Sequence, residues 1–396
     1  MIVSRKLELT GLLDKKQSFL LFGPRGTGKT SLMKTVLQKK DRVIRIDLLR
    51  ADAYRHYLTA PEALGEELRR ELNNKEKSPL YVLIDEIQKI PPLLDEVHSL
   101  LEEKKGRVVF ALTGSSARKL KRVGANLLGG RAITKFLHPL NSREIEVQLS
   151  RALQFGTLPG IYLESHFEIE RLETYVTTYL KEEILEEALV RQVDKFARFL
   201  ELSAQLNGEP INFTKLAKQC SVSTKTAQEY FEILCDTLVV KRIDGWAHSV
   251  KRQLMQAPRF WFFDCGVLNA LNGDLRSVLK PSTFRYGKLF ETWAVQEIVR
   301  LNDDSNLGLR LNYWRDSTGN EVDLIVSKST AQPRVAIEIK SAEHPTPSDV
   351  KPLKLFALDY PKVKLLCLCR TSRAYKMDGI EFLPLGEGLT VLQRLP

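Results

Sequence analysis

The sequence predicts an α/β protein in three parts: an N-terminal parallel sheet, a helical middle region and a C-terminal αβββαβ module. Three observations carry that reading. Strand-like and helix-like segments alternate through residues 1–150, as in a parallel sheet with crossover helices. A glycine-rich stretch separates the first strand from the helix after it. Residues 284–370 then read as helix, strand, strand, strand, helix, strand. A chain of 396 residues is too long for one core. The expected division is 1–150, 151–280 and 281–396.

Residues 18–22, 42–47, 80–85 and 108–112 read as the N-terminal strands, with 132–137 as a fifth. Helical stretches at 61–72 and 93–103 lie between them. The turn-rich QFGTLPG at 154–160 closes this part. Residues 166–206 carry the 3.6-residue period of long amphipathic helices, with Glu and Lys on the exposed faces. Residues 211–234 fit a helix-turn-helix, with the turn near 220–223 and Ser223 as N-cap of the second helix. Residues 236–243 are strand-like, which suggests a winged variant; the alternative is a helical hairpin that serves packing. The aromatic run PRFWFFDCGVLNAL at 258–271 reads as a buried connector. In the last module the helix spans 286–301, the strands 309–315, 321–327 and 334–340, the second helix 348–357, and the final strand 363–369.

The net charge of +11 and pI of 9.3 favour a polyanionic partner, most simply nucleic acid; the bland alternative is a solvated surface rich in Lys and Arg. Five cysteines, at 220, 235, 265, 367 and 369, form no CxxC pair and imply neither a zinc site nor a disulfide framework. Cys367 and Cys369 alternate along a strand and should point into the core. The N-terminus MIVSRKLELT has no signal-peptide pattern, and no apolar run approaches the length that spans a bilayer. A cytoplasmic location and no membrane partner are expected.

Gly23-Pro24-Arg25-Gly26-Thr27-Gly28-Lys29-Thr30 matches G-x-x-x-x-G-K-[ST] in full, between a strand and a helix. Glycines let backbone N–H groups face phosphates at a helix N-terminus. Lys29 should reach the β- and γ-phosphates of ATP, and the Thr30 hydroxyl should ligate Mg²⁺. The strand at 80–85 ends in Asp85-Glu86. Asp85 would hold the metal shell, and Glu86 would orient or deprotonate water. Ser31 and Ser115 complete the nucleotide-binding candidates. A hydroxyl in Thr113-Gly114-Ser115-Ser116 would sense the γ-phosphate, or the glycine simply makes a tight turn. Arg131 is a candidate arginine finger across a subunit interface, or an ordinary surface ion pair.

With LIDEIQKI, TGSSARKL, LLGGRA and LPGIY, this loop resembles a branch of prokaryotic AAA+ ATPases near the STAND group. YLKEEILEEALVR, the helix-turn-helix and APRFWFFDCGVLN are similar to that family's middle region. The resemblance covers almost the whole chain. It implies ATP binding, hydrolysis and homo-oligomer formation, including a hexameric ring. These motifs do not place the second sensor arginine usual in AAA+ lids.

The last module holds Glu291 in its first helix, Asp323 in its second strand, and Glu338 and Lys340 on one face of its third. Such acids can bind Mg²⁺ through oxygen ligands, with the metal activating water and Lys340 assisting. The order of elements and the D…ExK pattern resemble the PD-(D/E)xK nuclease superfamily, of restriction-endonuclease-like fold. Val322 replaces its usual proline. The alternative is a fold kept for binding or assembly, with the acids as structural ion pairs. Three functions are therefore weighed: an oligomeric ATP-driven DNA motor or remodeller with a nuclease-like tail, a STAND-type switch whose C-terminal domain binds protein, and an ATP-gated metal-dependent DNA nuclease.

Overall fold

In the computed structural model, residues 3–73, 78–116, 118, 120, 128–180, 193–247, 256–330 and 332–395 are described. Strands β1 (Ser18–Phe22), β2 (Val43–Asp47), β3 (Leu80–Asp85), β4 (Val108–Gly114) and β5 (Ala132–Phe136) form a wholly parallel sheet in the order β2-β3-β4-β1-β5. β1, β3 and β4 are buried along their whole length, which is why they read as unbroken apolar runs. Helices α1 (Lys29–Leu37), α2 (Ala51–Thr59), α3 (Glu62–Asn73) and α4 (Leu93–Glu103) cover the sheet. Side-chain alternation divides its two faces. Leu20, Val82, Ile84 and Phe110 pack against Leu64 and Leu68 of α3 and Val97 of α4. Phe19, Leu21, Leu83 and Val109 pack against Met33 and Leu37 of α1 and against Leu7, Leu9 and Leu13.

The order places β4 between β1 and β3, so the C-terminal ends of all three line one edge. In an open parallel sheet that edge is where ligands bind. β4 runs to Gly114, two residues past its expected end, because Gly114 still pairs with Phe22.

The middle region contains α5 (Val193–Gln205), α6 (Phe213–Gln219) and α7 (Thr224–Asp236). Most of YLKEEILEEALVR lies outside the described residues. Asn212 caps α6 by accepting from Lys215 N, and Ser223 caps α7 by accepting from Thr226 N, as its sequence position suggests. Strand β6 (Val240–Gly245) then pairs antiparallel with β7 (Arg259–Phe262). It is not a free-standing wing, because Asp244 and Gly245 also pair in parallel with Asn312 and Tyr313. The aromatic run at 258–271 is likewise more than a connector: it supplies β7 and α8 (Cys265–Leu271).

The C-terminal order is as expected: α9 (Phe284–Asp304), β8 (Arg310–Arg315), β9 (Glu321–Ser327), β10 (Pro333–Ile339), α10 (Lys351–Asp359) and β11 (Lys364–Leu368). Strands β12 (Tyr375–Met377) and β13 (Ile380–Leu383) and helix α11 (Leu385–Gln393) extend it. With β6 and β7 they make a mixed sheet in the order β12-β13-β11-β10-β9-β8-β6-β7. One hydrophobic cluster runs from Leu153 through the helix-turn-helix and α9 to Leu392, across the boundary expected near residue 280. All five cysteines are free, and Cys367 and Cys369 are buried. Among the described residues no helix is long and apolar enough to cross a membrane.

Candidate nucleotide site and a second acidic cluster

Beyond Phe22 the chain turns through residues 23–28 into α1. Gly28 adopts φ 92°, a left-handed conformation suited to glycine. A Cβ on Gly23 would lie 2.3 Å from the Leu137 carbonyl oxygen, so the exit of β5 lies directly against the loop. The Thr27 hydroxyl closes the loop by donating to Pro24 O at 2.8 Å. Lys29 is buried, and its Nζ donates to Gly23 O at 2.7 Å and Pro24 O at 3.3 Å. A buried ammonium at the start of a helix makes a favourable anion site.

Across the edge, Thr30 Oγ1 donates to Asp85 Oδ2 at 2.6 Å, and the Thr113 hydroxyl donates to Asp85 Oδ1. Asp85 thus faces α1 from the tip of β3, with β4 contributing the second hydroxyl. Glu86 adopts φ 61°, a conformation few non-glycine residues take. Its N–H donates to Thr113 Oγ1 at 3.4 Å. The Gln88 amide donates both to a Glu86 carboxylate oxygen and, at 3.0 Å, to Ser115 Oγ. Lys29, Thr30, Asp85, Glu86 and Ser115 therefore converge at one sheet edge. Such a set can hold a phosphate chain and a hard cation through oxygen ligands.

A cleft of about 470 Å³ adjoins the loop, lined by Arg5, Leu7, Gly28, Ser31, Leu32 and Leu163 among others. Its apolar walls beside a phosphate loop suit a nucleoside. Arg25 is exposed on the rim of the loop, and its carbonyl accepts from Tyr175 Oη at 3.0 Å. Gln88 and Arg5 carry polar contacts here that sequence reasoning did not single out. Gln88 has a sequence signal, since it follows the Asp-Glu pair by two residues. Arg5 has none, because its partners lie 22 and 133 residues away.

Arg131 is placed elsewhere. It pairs with Glu102 and donates to Gly129 O at 3.2 Å. It precedes Ala132, which pairs with Ser18 at the start of β1, whereas the loop follows the end of β1. The length of β1 separates Arg131 from the loop of its own chain.

In the C-terminal sheet, the antiparallel register that pairs Leu324 with Ile337 brings Asp323 alongside Glu338. Asp323 Oδ2 accepts from Ile339 N at 2.7 Å. Lys340 Nζ donates to Glu338 Oε1 at 2.6 Å, while Glu338 Oε2 is buried without a hydrogen-bond partner. Burial, then the Asp323 charge, pushes the Glu338 carboxyl well above its ordinary range. The same two causes push Glu291, reaching in from α9, up to about 8. Burial opposes charge on Lys340, but Glu338 and Asp323 outweigh it and hold the ammonium above its usual value. The charge of Asp323 thus reaches Glu291, Glu338 and Lys340. Among the described residues, however, no three acidic, His or Cys side chains are arranged as a metal cage.

The other end of α9 is fastened to the segment leaving β5. Ser142 N donates to Glu297 Oε2 at 2.9 Å, and Asn141 and Arg143 donate to Asp304 at 2.9 and 2.7 Å. His138 pairs with Asp303 at 2.8 Å. Arg300, 1% exposed, donates to Leu140 O at 2.9 Å and Phe263 O at 3.0 Å. Burial pushes Asp304 up to about 6, although Arg143 and Arg5 oppose the rise. One helix therefore touches both the nucleotide-site domain and the acidic cluster.

Three family models match the chain: an AAA domain over residues 15–146, a domain of unknown function (DUF8612) over 146–277, and a domain of unknown function (DUF4143) over 286–387. No curated protein matches. Similar solved structures include Drosophila ORC bound to AT-rich DNA and Cdc6, at 11% identity over 65% of this chain and 86% of that one, with a TM-score of 0.26. C. elegans PCH-2 is similar at 17% identity over 58% and 63%, with a TM-score of 0.26. A structure of two Pif1 helicases unwinding forked dsDNA is similar at 15% identity over 46% and 54%, with a TM-score of 0.21. The AAA-domain match spans the parallel sheet and its phosphate loop, so the N-terminal third of this chain is similar to the AAA domain family.

Proposed function

We propose that the protein binds and hydrolyses Mg-ATP at the edge formed by β1, β4 and β3. The backbone of residues 23–30 cradles the phosphates, and Lys29 meets the β- and γ-phosphates. Thr30 and Asp85 are the groups that hold Mg²⁺, which when bound neutralises charge on the transferring phosphoryl group. Glu86 orients the attacking water, and Ser115 senses the γ-phosphate. The observation that carries this reading is the 2.6 Å contact between Thr30 and Asp85, residues 55 apart in sequence. A finger role for Arg131 requires a second copy of the chain, because the residue lies away from its own loop.

The finer reading is an oligomeric motor acting on DNA, supported by the +11 charge. The exposed face of α7 supports it less, since Glu229 and Glu232 stand there beside Lys225. ATP turnover measured with single-stranded, duplex and branched DNA at two salt concentrations tests it. Salt-sensitive stimulation supports the motor. Slow turnover that no DNA stimulates favours the STAND-type switch, with the C-terminal domain binding protein.

A second reading has its own observation. Glu338 Oε2 is buried without a partner, as a carboxylate reserved for a cation would be. In this reading Glu291, Asp323 and Glu338 hold a divalent ion, and Lys340 steadies a phosphodiester. The test is cleavage of DNA by the intact protein with Mg²⁺ or Mn²⁺. Cutting that persists in Asp323→Ala counts against the cluster.

A further inference from the structure

Arg5 approaches the phosphate loop from outside it. Its side chain is only 7% exposed, and each of its three guanidinium nitrogens donates a hydrogen bond. One terminal nitrogen donates to Thr27 O at 2.8 Å, the other to His138 O at 2.6 Å, and Nε to Glu144 Oε1 at 3.0 Å. Glu144 is itself buried and also accepts from Lys6 N at 2.7 Å. A planar fork meeting three fixed acceptors is a task for arginine rather than lysine. The acceptors are well anchored, because residues 138–144 are fastened to α9 through Asp303, Asp304 and Glu297.

The contact with Thr27 matters for the loop. In a planar trans peptide the carbonyl and the following N–H point in opposite directions. A hydrogen bond that fixes Thr27 O therefore fixes the Gly28 N–H on the side away from Arg5. Gly28, at φ 92°, has little conformational preference of its own to hold that orientation. The Thr27 hydroxyl is committed to Pro24 O, and the donor that reaches the Thr27 carbonyl from outside the loop is Arg5.

We propose that Arg5 is a positioning residue of the nucleotide site, holding the Thr27–Gly28 peptide so that the Gly28 N–H is presented to the phosphates. This rests on the ATP reading above. Arg5 acts through the loop and does not itself touch phosphate.

The test is the Kd of the full-length protein for Mg-ATP and Mg-ADP, measured well below each variant's unfolding midpoint. Arg5→Ala should weaken both by about tenfold or more, the scale of a lost charge-assisted hydrogen bond. Arg5→Lys keeps the charge but not the fork, and should fall between Arg5→Ala and wild type. Lys6→Ala, at an exposed neighbouring side chain, should bind as wild type does. An Arg5 that serves folding alone would lower the unfolding midpoint of Arg5→Ala and leave the Kd of the folded protein unchanged, which overturns the proposal. If Arg5→Ala does not fold, Arg5→Lys decides: wild-type affinity overturns the proposal, and a loss of about threefold or more supports it. Wild-type protein that binds neither nucleotide sinks the ATP reading itself, an outcome distinct from normal binding by both wild type and variants.

Discussion

The Thr30 hydroxyl donates to Asp85 Oδ2 at 2.6 Å, tying the first turn of α1 to the tip of β3. Both oxygens suit a small hard cation, and both stand beside the loop that carries Lys29. Asp85→Asn removes the negative charge while keeping the shape. The affinity of wild type for ADP should rise when Mg²⁺ is added, and that gain should be lost in Asp85→Asn. A variant that keeps the full Mg²⁺ effect places the metal elsewhere.

Glu86 follows Asp85 and is held by the Gln88 amide. Glu86→Gln keeps the hydrogen-bonding shape and loses the base. It should bind ATP as wild type does and hydrolyse it about 10²-fold or more slowly, the scale of general-base contributions. Single-turnover hydrolysis measures this directly. Wild-type turnover in the variant removes Glu86 from the role.

The acidic cluster makes stability depend on pH with a definite sign. An ordinary glutamic acid ionises near 4.5, whereas burial and Asp323 hold Glu291 near 8. Between those values the folded state keeps a proton that the unfolded chain releases. Stability therefore falls as pH rises through that window and levels off above about 8. Glu338, raised by the same causes, adds a fall of the same sign. Urea midpoints across the window should show a shallower fall for Glu291→Gln than for wild type. An unchanged slope contradicts the buried, protonated Glu291. If the cluster holds Mg²⁺, the added ion should flatten the wild-type slope as well.

Arg300 stands where α9 meets the nucleotide-site domain, with its guanidinium between Leu140 O, Phe263 O and Glu297. Arg300→Ala strands a buried carboxylate and two carbonyl groups. It should destabilise the protein by about 3–5 kcal/mol, the range for breaking a buried pair from one side. Chemical denaturation checks this. A midpoint within experimental error of wild type would mean that the contact contributes nothing to the docking.

Much of this architecture is legible in the sequence because it is local. Strands 18–22 and 80–85 and helix 93–103 match their predicted limits, since unbroken apolar runs and a 3.6-residue period are strong signals. Glu338 and Lys340 fall on one face by strand alternation alone, and Asp323 meets them through the register of the next strand. Helix Ala51–Thr59 escaped because its apolar stripe is short, with only Tyr57 fully buried and Tyr54 packed beside it. Strands Tyr375–Met377 and Ile380–Leu383 escaped because three or four residues show no period. The join of β6 to β8 and the reach of Arg5 to His138 are long-range contacts. Pairing across such separations follows from the assembled fold, and no local pattern encodes it.

The central claim is that the loop at residues 23–30 binds ATP. An equilibrium titration of Mg-ATP into wild type and Lys29→Ala tests it most directly. Saturable binding by wild type, lost in a variant that still unfolds cooperatively, is the expected result. Equal affinity in the two proteins, or none in wild type, would contradict it.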